Sequence, residues 1–151
     1  KNEGYRDYTR TAVFELSTND EHLDSRNNVY FSDATPNDLH AVGMLGARDQ
    51  ITSGVATFAG DWVKNGWTPL DLTRGGKVDN RSTLKGFEKL TRGDAPGFRD
   101  KAAGDYALKA AIPGVALQPD IPASLLPTMQ YVKPQRGKPR SAALTIGALA
   151  E

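Results

Sequence analysis

The chain of 151 residues has no cysteine, only two histidines, and 19 basic against 18 acidic side chains. Without thiols it can form no disulfide, no cysteine-ligated zinc site and no thiol nucleophile. His22 and His40 are separated by a turn-rich stretch and belong to no H-E-x-x-H pattern, so each reads as a surface or turn residue and no metal site is expected. A net charge of +1 gives no basic face with which to neutralise phosphates, so a nucleic-acid partner is not expected. The basic residues gather only at Lys133, Arg136, Lys138 and Arg140, in a loop with Pro and Gly that reads as solvated. No apolar run approaches the roughly 18 to 20 residues that cross a bilayer, and no basic amphipathic helix lies on one, so no membrane role is expected. Also missing are a G-x-S-x-G elbow and a phosphate loop, since Gly75-Gly76 lacks the later Lys-Ser pair. The chain begins at Lys1 with neither methionine nor a signal-peptide pattern, which leads us to expect further residues upstream.

Two stretches can be laid over one another. Ala12-Val13-Phe14-Glu15-Leu16 is followed by Asn19-Asp20, and Ala41-Val42-Gly43-Met44-Leu45 by Arg48-Asp49, an offset of about 29 residues that lies in the range of solenoids and arrays. Each continues into a second strand-like run, residues 23–31 and 51–58. Period-two alternation puts Leu23, Ser25, Asn27, Val29 and Phe31 on one face, with Asp24, Arg26, Asn28 and Tyr30 on the other. Short strands broken by tight Asn, Asp and Gly turns fit a coil in which each strand is paired on both sides. They also fit an antiparallel β-sandwich, which stays open on periodicity alone. Helix is scarce: residues 82–90, with Leu84, Phe87 and Leu90 on one face, and residues 99–103 are the two short candidates. Seven of the nine prolines fall from Pro96 onward, so the last third reads as an extended tail rather than ladder or helix interior. Its expected anchors are Ile121, Leu125, Leu126, Met129, Tyr131, Val132, Leu144, Ile146 and Leu149.

The closing stretch carries the most specific pattern: DAPGF at residues 94–98, GDYALKAAIPGVAL at 104–117, MQYVKP at 129–134 and LTIGAL at 144–149. In that order the segments resemble the C-terminal part of bacterial right-handed parallel β-helix repeat proteins of the pectate-lyase-like superfamily. The match covers the last 60 residues or so and reaches more weakly to GDWVKNGW at residues 60–67. It departs where Ile112 to Leu117 replace a Ser-Pro-Ala-x-Asp-Ala-Gly run and where Thr145 replaces an aspartate. The resemblance implies an all-β right-handed parallel β-helix, or solenoid. Residues 1–67 would be its last two to three coils, and residues 68–151 a loop and capping tail in the same domain, with one or two short helices at most. Such proteins mostly bind or process acidic polysaccharides as lyases, hydrolases or epimerases, are secreted or held in the periplasm or at the cell surface, and carry catalysis in central coils. The expectation is thus a segment that ends and stabilises a larger exported protein. It needs no cofactor of its own, although calcium could serve the full-length protein. The alternative is a non-enzymatic surface or assembly protein that docks through its open end.

Candidate chemistry follows from outward positions. Asp24 and Arg26 share one face of a predicted strand, where a carboxylate could take a proton and a guanidinium could neutralise a uronate. The plainer reading is a solvated ion pair. Trp62 and Trp67 could stack on pyranose rings, or could cover the last coil. Asn27 and Asn28 suit the stacked turns of a coil, with Asp61 in the equivalent place one coil later. Asn80-Arg81-Ser82 matches a glycosylation acceptor pattern, to which a bacterial resemblance gives little weight. A stack of strands needs about three repeats and exposes unpaired N–H and C=O groups at an open end. Ala12, Val13, Phe14, Glu15 and Leu16 are accordingly the expected interface with further, upstream coils, on the same precursor or on a separate chain.

Overall fold

The fold is given by a computed structural model that describes residues 11–14, 20–33, 39–42, 51–52, 54–70, 79–80, 83–132, 136–140 and 146–147. Among these are fifteen short strands and two single 3-10 turns, with no α-helix. The protein is all-β. The chain first passes through β1 (Thr11–Phe14), β2 (His22–Arg26) and β3 (Val29–Tyr30), then through β4 (Leu39–Val42), β5 (Ile51–Thr52), β6 (Val55–Ala59) and β7 (Trp62–Lys64). A third pass follows as β8 (Thr68–Leu70), β9 (Asp79–Asn80), β10 (Thr83–Lys85) and β11 (Thr91–Gly93). Corresponding strands pair in parallel, giving sheets in the orders β1-β4-β8, β10-β6-β2 and β11-β7-β3, with a two-stranded β5-β9 sheet beside them. Parallel pairing throughout the three passes is not the arrangement of an antiparallel sandwich.

The repeat is real but its register is 28 rather than 29: Ala12 pairs with His40, and His40 with Thr68. Between first and second pass the next strands are 33 apart, His22 opposite Val55 and Val29 opposite Trp62, and the spacing returns to 28 and 29 at Thr83 and Thr91. Pairing therefore runs on past Trp67 to Gly93. Glu15 and Leu16 lie outside the described residues; β1, with Ala12, Val13 and Phe14, is an edge strand that pairs with β4.

Inside the passes Ala56, Phe58, Val63, Trp67, Phe87 and Leu90 form a buried cluster, against which Leu23, Tyr30 and Leu84 pack. Phe87 meets Phe58 edge-to-face at 5.5 Å and Trp67 at 5.4 Å, while Trp67 stacks on Tyr30 at 5.0 Å. Burying side chains of this size contributes about 2–3 kcal/mol each. Alternation holds along β2, with Ser25 buried and Asp24 exposed. It then changes phase at Asn27, whose φ of 58° turns the corner. Tyr30, expected on the outer face with Asp24, points inward as a result, and Phe31 points out to meet Phe98. The corner also explains the apparent helix at residues 82–90. Gly86, at φ 79°, ends β10, and a 3-10 turn at Phe87–Lys89 leads to β11. The spacing of Leu84, Phe87 and Leu90 is that of inward residues on either side of a corner. Residues 99–103 are likewise β12 (Phe98–Asp100) and a turn, in which Ala103 N donates to Asp100 Oδ1 at 3.0 Å.

The later chain is laid on the outside. β12 and β13 (Asp105–Leu108) form an antiparallel hairpin, and Phe98 of that hairpin meets Phe31 of the first pass at 5.5 Å. The extended residues 114–120 then cross all three passes. Gly114 O accepts from Thr91 Oγ1 at 2.8 Å, Ala116 O lies 2.8 Å from where a Cβ on Gly60 would stand, and Gln118 bonds Asn27. Asp120 O accepts from Arg26 Nη1 at 2.6 Å. After a 3-10 turn at Ala123–Leu125, β14 (Met129–Val132) and β15 (Arg136–Pro139) make a second hairpin, and the chain returns to the first pass where Gly147 N donates to Asn27 O at 2.7 Å. Of the anchors expected here, Ile146 is buried, whereas Leu125, Leu126 and Met129 are exposed. The side chains of Tyr131 and Val132, and all of Leu144 and Leu149, lie outside the described residues.

A Cβ at residue 86 would stand 2.3 Å from the Phe58 carbonyl oxygen in a left-handed conformation. Gly86→Ala should therefore lower stability in urea denaturation by about 2 kcal/mol or more.

Candidate functional site

Asp24 and Arg26 stand where alternation puts them, outward on β2. The pair is closed on itself: Arg26 Nε donates to Asp24 Oδ1 at 2.8 Å and Nη2 to Oδ2 at 2.6 Å, while Nη1 holds the Asp120 carbonyl. The hydrogen bond to Asp24 and its charge raise the pKa of Arg26 further. A guanidinium bonded on three nitrogens holds the tail in place, and its Nε–Nη2 fork is taken by Asp24. Trp62 and Trp67 are 2 % and 3 % exposed, so neither offers a ring face to a sugar. Trp67 lies within the inner cluster. Trp62 stands apart from it, on the opposite side of β7 from Val63, with Gly93 beside its ring.

Asp61 is the least expected occupant of the interior, a carboxylate 1 % exposed. It stands one pass on from Asn28, since Val29 pairs with Trp62. Its Oδ1 accepts from Asn28 N at 2.7 Å and Asn28 Nδ2 at 3.2 Å, and its Oδ2 from Ser25 Oγ at 2.9 Å. Ser25 has one proton and gives it to Asp61, so the 2.7 Å contact to Tyr30 is donated by the phenol. Burial raises the pKa of Asp61, against hydrogen bonds from Asn28 and Ser25 that lower it. Burial pushes Tyr30 up to about 12. Asp61 and Ser25 are cut off from solvent, and these groups bind two passes together.

The open concavity lies elsewhere, between β3, the first hairpin and the returning tail. It encloses about 270 Å³ and is lined by Val29, Phe31, Phe98, Tyr106, Leu108 and Ile146, among others. Phe31, Phe98 and Tyr106 form an edge-to-face chain with centroid spacings of 5.5 and 5.3 Å. Two ammonium groups flank Phe31: Lys64 at 5.5 Å, which also donates to Ser32 O, and Lys101 at 5.2 Å, which is ion-paired with Asp33. Apolar rings beside cations suit binding of a ligand with an apolar face and an anionic group; nothing here activates a nucleophile. Among the described residues no three His, Asp or Glu side chains come together as a metal site, and no helix is long and apolar enough to cross a membrane. Sequence reasoning missed this groove. Its signal was the pair of motifs DAPGF and GDYAL, which supply Phe98 and Tyr106 to the two strands of one hairpin.

Comparison of the chain with protein-family models, curated proteins and solved structures finds no match.

At position 61 asparagine can keep Oδ1 toward Asn28 and donate to Ser25, whose proton then turns to Tyr30. Asp61→Asn should therefore hold stability within about 1 kcal/mol at neutral pH, whereas Asp61→Ala, which leaves the buried Asn28 N–H without its acceptor, should cost about 2 kcal/mol or more. A raised carboxylate pKa in the folded protein means that folding takes up a proton. Stability should thus fall as pH rises from the ordinary value of 3.8 through the folded value, and stay level above it. That slope should vanish in Asp61→Asn, as read by thermal melts across the range. At the other extreme, Tyr30 should cost stability as pH climbs from 10 to about 12, a loss absent from Tyr30→Phe.

Proposed function

We propose that the chain forms the last coils and the closing tail of a right-handed parallel β-helix, and that its work is to end and stabilise the solenoid of a larger exported protein that binds or processes acidic polysaccharide. The observation that carries this reading is the tail at residues 114–120. It steps across Thr91, Gly60 and Asn27, one pass for every two residues, and so fixes three parallel passes to one another from outside. A solenoid repeat contacts only its neighbours, and a segment that touches several adds stability that pairing alone does not supply. The polysaccharide part rests on the resemblance of the tail motifs and on the aromatic lining of the groove, with Lys64 and Lys101 beside Phe31. Catalysis then belongs to other coils, where calcium could also act, because Asp24 and Arg26 satisfy each other and Trp62 and Trp67 are buried.

A second reading has its own support: among the described residues β1 and β2 stand at the ends of their sheets, and an edge is a template for strand addition by another protein. The two readings separate by experiment. On the first, the chain binds an oligogalacturonate or oligoalginate weakly in calorimetry, loses that binding on Tyr106→Ala, and releases no unsaturated ends from the polymer. Cleavage by this chain alone would place catalysis here after all. On the second, native mass by light scattering exceeds 16.3 kDa through a different protein chain, and no sugar binds.

The clasp between Asn27 and Gln118 gives a direct test of the tail's role. Asn27→Gly keeps the φ of 58° accessible but removes both side-chain bonds, at 2.8 and 3.0 Å, so its cost isolates the clasp at about 1–2 kcal/mol in denaturant titration. Asn27→Ala should cost more, because alanine is strained there. A neutral Asn27→Gly would sink the stabilising role given to the tail.

A further inference from the structure

Register sets Asn65 and Asp94 at the same point of successive passes. Lys64 lies opposite Gly93, the last residues of β7 and β11, so the chain leaves the sheet at Asn65 in the second pass and at Asp94 in the third. The two exits are tied together: Asn65 N donates to Gly93 O at 2.8 Å, and Asn65 Nδ2 to Asp94 Oδ1 at 2.9 Å. The side-chain bond depends on the amide, because an aspartate carboxylate only accepts and Asn65 supplies the proton. Asp94 in turn begins the stretch that leads from β11 to β12, and so to Phe98 on the wall of the groove.

Asn65 is followed by Gly66, the one Asn-Gly pair in the 151 residues. Both are exposed, in a turn closed by Trp67 N donating to Lys64 O at 3.2 Å, with Gly66 at φ 79°. No acceptor among the described residues takes the Gly66 N–H, and glycine has no Cβ to crowd its nitrogen. We propose that Asn65 is a modification site, at which the chain's own Gly66 nitrogen and water turn the tie to Asp94 into a pair of like charges. Gly66 N attacks Asn65 Cγ; the new N–C bond closes a succinimide ring, and the side-chain nitrogen leaves as ammonia with the proton that Gly66 gives up. Water then opens the ring. Addition at Cγ leaves aspartate, and addition at the backbone carbonyl leaves iso-aspartate, whose chain runs through the side chain. Either product has lost the donor and gained a carboxylate beside Asp94. The other described asparagines are followed by bulkier residues, and Asn27 and Asn28 have their amides bonded in the clasp and the polar knot.

The test is ageing of the folded 151-residue chain at mildly alkaline pH, followed by peptide mapping. The tryptic peptide of residues 65–74 should gain about 1 Da and split into aspartate and iso-aspartate forms, at least about tenfold faster than the peptides holding Asn28 or Asn80 are modified. If that peptide keeps its mass in the folded chain, the site is overturned, whether or not the chain unfolded in urea is modified. The effect on the tie is read separately. Asn65→Asp should lower Tm by about 2–4 °C at neutral pH, and adding Asp94→Asn, which again sets a donor against an acceptor, should return most of that loss. The aged chain, separated from fresh chain by its extra negative charge, should melt lower by a similar amount, which covers the case in which Asn65→Asp does not fold. An unchanged Tm in Asn65→Asp or in the aged chain overturns the conversion of the tie, as does a loss that Asp94→Asn fails to restore.

Discussion

A buried carboxylate at a corner is the constraint on which the rest of this structure depends. Parallel strands two to five residues long have little pairing energy of their own, so the passes need something that fixes where each one bends. Asp61 does this by drawing Asn28 and Ser25 of the preceding pass onto its two oxygens. A charge 1 % exposed is costly unless every lone pair is used, and the geometry that uses them is available only when second and first pass are in register. A slip of one residue would place a side chain of the opposite face against the carboxylate. The polar knot thus acts as a register pin, and Tyr30, held by Ser25, passes that order to Trp67 and the apolar cluster.

The second constraint acts from outside. Asn27 occupies a left-handed corner, its backbone bonded to Ala59 and Gly147 and its side chain to both backbone groups of Gln118. One residue therefore joins the second pass, the tail and the chain's return. The amide side chain copies the donor-acceptor pair of a peptide group, which is why an asparagine suits a place where an extended segment crosses strands rather than running beside them. Gly60, one pass further on, supplies the absence of a side chain that lets the tail lie close. The groove beside this corner is a consequence: the hairpin carrying Phe98 and Tyr106 and the returning Ile146 meet β3 without filling the space between them.

Interior and exterior divide the chemistry sharply. Asp61 is enclosed and structural, Tyr30 is half-buried beside it, and the outward charges Asp24 and Arg26 neutralise each other. Toward the groove stands a set of aromatic rings with lysines beside Phe31.

By itself the sequence determined the all-β character, because alternation, frequent Asn and Gly turns and late prolines leave little room for helix. It determined the repeat to within one residue where β1 pairs with β4, though not the spacing of 33 from β2 and β3 to β6 and β7, and it set Asp61 one pass on from Asn27 and Asn28, of which the pairing matches Asn28. Only the tertiary structure decided which face each residue takes after a corner, since one left-handed residue reverses the alternation and sends Tyr30 inward and Phe31 outward. The helix-like spacing of Leu84, Phe87 and Leu90 was ambiguous for the same reason: three inward residues around a bend have the period of a helix turn. Trp62 and Trp67 read as a sugar platform or, more readily, as cover for the last coil, and the packing of Trp67 depends on Tyr30 before it and Phe87 after it. The clasp of Asn27 on Gln118, 91 residues apart, has no local signature, because neither residue type nor spacing encodes where a returning tail will cross.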